Sequence, residues 1–143
     1  MKLISRLFFP IFIVATLYLL FSGNLLSASP FVIAIQVLAL ALGIWARRTF
    51  QSGQFSTGAE TKEGQLLRSG PYKFIRHPIY ATVLILTWSS VLGHPSLITL
   101  GVSVVMTVVT TIRIAAEEQF LRDRYSNYSE YAGSTRRIIP FIF

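Results

Sequence analysis

Two short clusters hold most of the side chains in this sequence that could do chemistry. The first runs Gly70-Pro71-Tyr72 and then Arg76-His77-Pro78-Ile79-Tyr80. Gly-Pro marks a turn, and Pro78 suits the first position of a helix, where its missing N–H costs nothing. Arg76 and His77 therefore stand just before a helix start, beside unpaired backbone N–H groups and partial positive charge. Such a corner suits a carboxylate or a hydroxyl-rich ligand. The second cluster is Arg113, Glu117 and Glu118. Arg113 and Glu117 are four residues apart and share a helical face. Neighbouring carboxylates can hydrogen-bond a ribose or an amine, or offset a cationic ligand.

Each cluster also has a plainer reading, and from spacing alone the plainer ones carry more weight. Arg76 reads as a topology charge with Tyr72 and Tyr80 as interfacial anchors. The acids read as a solvated helix exit with a surface ion pair worth under about 1 kcal/mol. A stripe of Ser103, Thr107, Thr110 and Thr111 shares one helical face. Continued, that face reaches Glu117 and Glu118. Small polar residues serve close helix packing in membranes, as does Gln36 through an interhelical hydrogen bond, while His94 is expected to be exposed. Tyr125, Tyr128 and Tyr131 precede Arg136-Arg137 and an apolar end, a segment expected to dock on protein or membrane. Two histidines and no cysteine do not make a zinc site, so no metal is expected. There is no phosphate-binding loop, nucleophile elbow or dinucleotide glycine pattern.

The elements that must position these groups are apolar. Hydrophobic residues make up 52% of the chain and charged ones 13%, against about 25% charged for a soluble domain. Four apolar runs stand out: Leu7–Leu26, Pro30–Ala46, the short Ile79–Leu92, and Ser96–Ile112. A crossing needs about 20 residues, with about 17 as the lower limit. The charges fall before the first run, between the second and third, and after the fourth. The other two connections, Ser22–Ser29 and Gly93–Pro95, carry none. Four crossings put every charge on one side. The positive-inside bias makes that side cytoplasmic, with both termini and the charged loop. The net charge of +7 is explained by those loops, and nucleic acid is not an expected partner. Ser27-Ala28-Ser29 after a basic start would suit a cleaved signal peptide, but the apolar stretch is long for one and a retained helix is expected. Val102–Ala132 contains neither Gly nor Pro. As one helix it would extend about 46 Å and leave a hydrocarbon core of about 30 Å.

The expected architecture is all-α and polytopic, with about four transmembrane helices. A cytoplasmic loop and a C-terminal segment would cover a cofactor site. It is one membrane-embedded domain over 1–143. Two N-terminal helices occupy 1–46, the loop 47–78, and a helical hairpin with a cytoplasmic tail 79–143.

In order, Leu66-Leu67, Ser69-Gly70-Pro71-Tyr72, Arg76-His77-Pro78-Ile79-Tyr80, a hairpin, Glu117-Glu118, a tyrosine-rich stretch and a late proline resemble the isoprenylcysteine carboxyl methyltransferase family and its phospholipid methyltransferase relatives. The resemblance spans roughly residues 60 to 143. It implies an S-adenosylmethionine-dependent methyltransferase with a lipophilic or lipidated acceptor, either a carboxylate or a lipid amine. It implies cofactor binding by Gly70, Tyr72, His77, Pro78, Tyr80, Glu117 and Glu118. Arg76 would stand near the acceptor, with His77 as the base if the acceptor is an amine. Thr82 replaces a glycine common in relatives, and Tyr125-Ser126 replaces Phe-Gly. The end, Pro140-Phe141-Ile142-Phe143, also resembles membrane sterol reductases that use NADPH. A lipid reductase and a non-catalytic membrane subunit are the alternatives, and oligomeric state and acceptor identity stay open.

Overall fold

The computed structural model describes residues 2–49, 55–56, 60–61 and 66–138. Its described body is helical, as expected: α1 (Lys2–Phe21), α2 (Pro30–Thr49), α3 (Pro78–Gly93), α4 (Leu97–Arg124) and α5 (Tyr128–Ser134). The loop between α2 and α3 adds a small antiparallel pair, β1 (Phe55–Ser56) and β2 (Glu60–Thr61), and a 3-10 turn, Gly70–Lys73. The expectation for Pro140–Phe143 lies outside the described residues.

Local chemistry sets the boundaries. Pro78 opens α3 at its first position, with His77 as the cap residue. Ser96 caps α4: its Oγ accepts from Thr99 N–H, and Thr99 Oγ1 accepts from Ser96 N–H, both at 3.1 Å. Two of the helix's orphan donors are thereby satisfied reciprocally. Val102–Ala132 does not run as one helix. Here α4 stops at Arg124, Tyr125 is extended (φ −118°, ψ 113°), and α5 starts after Asn127. The break lets Tyr125, Tyr128 and Tyr131 pack around Leu121, and Tyr131 donates its O–H to the Tyr72 carbonyl at 2.9 Å. Tertiary packing outweighs helix propensity at this point.

Among the described residues, α2 and α4 are each long and apolar enough to cross a membrane, whereas Pro10–Phe21 and Pro78–Gly93 are apolar but shorter. Large apolar side chains such as Val14, Leu38 and Leu97 are exposed, as lipid contact requires. Small and polar groups draw the helices together. A Cβ at Gly43 would come within 3.0 Å of Thr82 Cγ2, so α2 and α3 approach closely. Gln36 donates to Ser89 Oγ at 3.1 Å and to the Leu25 carbonyl at 2.7 Å. Between α3 and α4, Ser103 donates to the Thr87 carbonyl at 2.8 Å and Trp88 to Thr107 Oγ1 at 3.0 Å. Thr111 departs from the expected seam: it is exposed and bonds back to the Thr107 carbonyl. His94 is half-buried rather than simply exposed, and its Nε2 lies 2.6 Å from the Leu26 carbonyl.

Candidate functional site

Backbone hydrogen bonds stitch the segment before α3 to the segment after α5. Arg136 N–H donates to the Phe74 carbonyl at 3.1 Å, Arg76 N–H to the Arg136 carbonyl at 2.7 Å, and His77 N–H to the Arg137 carbonyl at 3.0 Å. This parallel bridge uses the donors of the turn. It also holds Arg76, His77 and Arg137 against the acidic end of α4.

Glu118 is the centre of that arrangement, and it is 3% exposed. Its Oε1 accepts from Arg76 Nε at 3.0 Å and lies 3.4 Å from His77 Nε2. Its Oε2 accepts from Arg137 Nε at 3.1 Å, with an Arg122 nitrogen at 3.9 Å. A carboxylate taken out of water needs such partners to offset its desolvation. Arg76 is in turn tied into the fold. Its Nη1 donates to the carbonyls of Ala132 at 2.8 Å and Thr135 at 2.6 Å, and to Thr135 Oγ1 at 3.2 Å.

A second centre lies beside it. Arg113 Nε donates to the Tyr80 oxygen at 3.0 Å, and the Tyr80 O–H donates to Glu117 Oε2 at 2.7 Å. Arg113 is 6% exposed. Among the described residues, only its Nε is bonded, and its two terminal NH2 groups have no partner. The His77 and Tyr80 rings stack with centroids 5.5 Å apart, and Phe8 of α1 meets Tyr80 edge-on at 5.1 Å. The two centres therefore share a wall, and α1 reaches it.

A partly open cavity of about 20 Å³ is lined by Leu66, Leu67, Tyr72, Arg76, His77, Leu121, Tyr128 and Tyr131. That is room for one water. The hydroxyls of Tyr125 and Tyr128 are buried and unbonded, a costly state for a phenol unless something else accepts or donates there. Arg68 fastens the outer wall. It donates to the Asn127 carbonyl at 3.2 Å, lies 3.9 Å from Glu130 and sits over the Tyr131 ring at 5.5 Å. Burial pushes the Tyr72 and Tyr131 phenols well above the ordinary tyrosine range, with the Glu117 charge adding to it at Tyr72. Tyr128 is pushed up to about 12 by burial, and the Glu118 charge adds to that. These three are neutral hydrogen-bonding groups at physiological pH and do not supply a base.

The two clusters singled out in the sequence thus meet. Tyr72, Arg76 and His77 line the cavity, while Tyr80, Glu117 and Glu118 stand behind it, bonded to Arg113, Arg76 and Arg137. Gly70 and Pro78 do not line it and act through the backbone. Gly70 has a φ of 55°, and a Cβ there would collide with Thr49 of α2, while Pro78 starts α3. Sequence reasoning missed Phe8, Thr135 and the role of Arg137. Arg137 was visible only as a charge near the end, and nothing in the sequence marks the other two.

The model of the phospholipid methyltransferase family matches residues 19–128, well over half of the chain. No curated protein and no solved structure matches it.

Proposed function

The chain belongs to the phospholipid methyltransferase family, whose members are membrane methyltransferases. From that premise we propose that it is a multi-pass enzyme that methylates the headgroup amine of a membrane lipid from S-adenosylmethionine. The observation that carries this is the convergence of Arg76, His77 and Arg137 on Glu118, next to Tyr80 on Glu117. In the proposed topology α1 to α4 cross alternately. The charged loop, the acidic end of α4 and both termini then lie on the cytoplasmic side.

The donor set suits S-adenosylmethionine. Glu118 can take its amine or ribose hydroxyls, the partly exposed Arg137 and Arg122 its carboxylate, and Tyr72 and Tyr128 offer neutral phenols. Room is the constraint: the cavity is about 20 Å³, whereas ligand pockets run to roughly 300–1,000 Å³. Loading therefore requires the Leu66–Arg68 wall to swing away from α5. When bound, the cofactor supplies an electrophilic methyl group on a sulfonium.

The chain's own residues would do the rest. Arg76 is occupied by Glu118, Ala132 and Thr135, so it braces the site. Arg113, with two unbonded NH2 groups, is the better holder of a lipid phosphate, since a guanidinium matches phosphate oxygens in a two-pronged geometry. Glu117 would receive the headgroup ammonium. His77 is the side chain suited to accept the proton that an amine must release on methylation, because imidazole is the general base that proteins use most often. Glu118 beside its Nε2 would then stabilise the imidazolium. Alignment of donor and acceptor in a dry site contributes several kcal/mol more.

The test is a binding titration of purified protein with S-adenosylmethionine and with NADPH, repeated with Glu118→Gln and His77→Ala. Methyl transfer to phosphatidylethanolamine in vesicles is measured alongside. Binding of S-adenosylmethionine alone, weakened in Glu118→Gln, and transfer that is lost in His77→Ala support the reading. NADPH binding alone would replace it with the reductase, and binding of neither with a non-catalytic subunit.

A further inference from the structure

The contact of Phe8 with Tyr80 links the polar site to a feature on the other side of α1. An apolar groove of about 400 Å³, open to the side, runs along α1 and α4 and is lined by Pro10, Ile11, Val14, Ala15, Tyr18 and Val102. One contact between the two helices lies beyond Pro10, toward the start of α1. There Phe8 packs with Tyr80 and Ile114 in a buried cluster, supported by Val109. Tyr18 lies ten positions beyond Phe8 on α1, and Val102 twelve positions before Ile114 on α4, about 15 and 18 Å away at 1.5 Å per residue.

We propose that this groove holds one acyl chain of the lipid acceptor while its headgroup is at Tyr80, Arg113 and Glu117. The inference rests on reading the chain as a lipid methyltransferase. Three observations select this occupant over bulk lipid. Phe8, two residues before Pro10 of the groove lining, packs edge-on against Tyr80 of the polar site. Its polar end offers the unbonded guanidinium nitrogens of a buried arginine, complementary to a phosphate. Its lining on α1 runs from Pro10 to Tyr18, about 12 Å at 1.5 Å per residue, within the reach of one leaflet, since half of a hydrocarbon core of about 30 Å is about 15 Å. A lipid of the inner leaflet would therefore slide in sideways between α1 and α4 without leaving the bilayer. The far end, at Tyr18 and Val102, would limit chain length.

The experiment uses phosphatidylethanolamine carrying a diazirine at the end of one acyl chain, in phosphatidylcholine nanodiscs, with a matched phosphatidylcholine probe. Adducts of the ethanolamine probe should concentrate on Val14, Tyr18 and Val102 over the exposed Leu38 and Leu97, and unlabelled phosphatidylethanolamine should displace them. In Val102→Trp the ratio of kcat/KM for long-chain to short-chain phosphatidylethanolamine should fall about tenfold, the scale at which a pocket discriminates by a few methylenes. Labelling spread evenly over Leu38 and Leu97, equal groove labelling by both probes, or an unchanged ratio would overturn the proposal. Methyl transfer to the same lipids is followed in the wild type. Transfer without groove labelling sinks only the groove, whereas absence of transfer to any of these lipids sinks the enzymatic reading itself.

Discussion

Replacing Glu118 by glutamine removes one charge from the centre of the site while keeping its shape. The three arginines around it are not equal. Arg76 is 10% exposed and 3.0 Å away, so it cannot turn to water. Arg137 and Arg122 are 40% and 57% exposed and can. Breaking a buried ion pair by removing one partner costs about 3–5 kcal/mol. Glutamine retains one acceptor oxygen, worth about 1 kcal/mol, and Arg76 keeps its bonds to Ala132 and Thr135. The expected loss in Glu118→Gln is then about 2–3 kcal/mol. Double-mutant cycles in chemical denaturation of the detergent-solubilised protein apportion it. Coupling with Arg76→Gln should be about 2 kcal/mol, and with Arg137→Gln under about 1 kcal/mol. A glutamine variant as stable as the wild type would refute the reasoning. So would coupling to Arg137 equal to or larger than that to Arg76, since burial would then not decide the strength of these pairs.

Tyr80→Phe deletes the hydroxyl joining Arg113 to Glu117 and leaves the buried Arg113 and the half-buried Glu117 each a partner short, which costs about 1–3 kcal/mol; methyl transfer should fall at least about tenfold while helical circular dichroism is unchanged. Gly70→Ala places a side chain at a φ of 55° against Thr49 and should destabilise by about 1–3 kcal/mol. Adding Thr49→Ala should recover the collision but not the backbone strain, which thermal melts of the two variants would show. The pH dependence of Tyr128 has a definite sign. Its native pKa of about 12 exceeds the unfolded value of about 10, so the folded state binds more protons between them. Its contribution is complete below pH 10 and is lost as the pH rises through 12, and phenolate absorbance of Tyr128→Phe against wild type checks this. Arg68→Gln cuts the fastening between the cavity wall and α5 and should speed both association and release of S-adenosylmethionine in stopped flow, with both rates unchanged if that wall is not the gate.

The helices of this protein were legible because lipid-facing elements must be continuously apolar. The run Pro30–Ala46 became Pro30–Thr49, Ile79–Leu92 became Pro78–Gly93, and Ser96 was the cap of α4. The end of α4 was not legible. Nothing in Tyr125-Ser126-Asn127 forbids a helix, and the chain turns there only because three tyrosines find a shared pocket around Leu121. The site followed the same division. Arg76, His77, Tyr80, Glu117 and Glu118 announce themselves by charge and by Pro78. Arg137 reaches Glu118 through a backbone ladder across more than 50 residues, and Thr135 contributes mostly a carbonyl, which every residue has. Phe8 sits in a run where any apolar residue looks alike, and its contact with Tyr80 depends on how α1 leans on α4.

That ladder between Phe74–His77 and Arg136–Arg137 also orders events during synthesis. A ribosome that has completed α4 has made Glu118 and Arg76 but not the strand that brings in Arg137 and the Thr135 carbonyl. Until those late residues emerge, the acid lacks one of its close cations and the Arg76 side chain lacks three of its acceptors. The centre can take its final form only when the residues up to Arg137 are out, so a product that stops before them would carry α1 to α4 without the assembled centre.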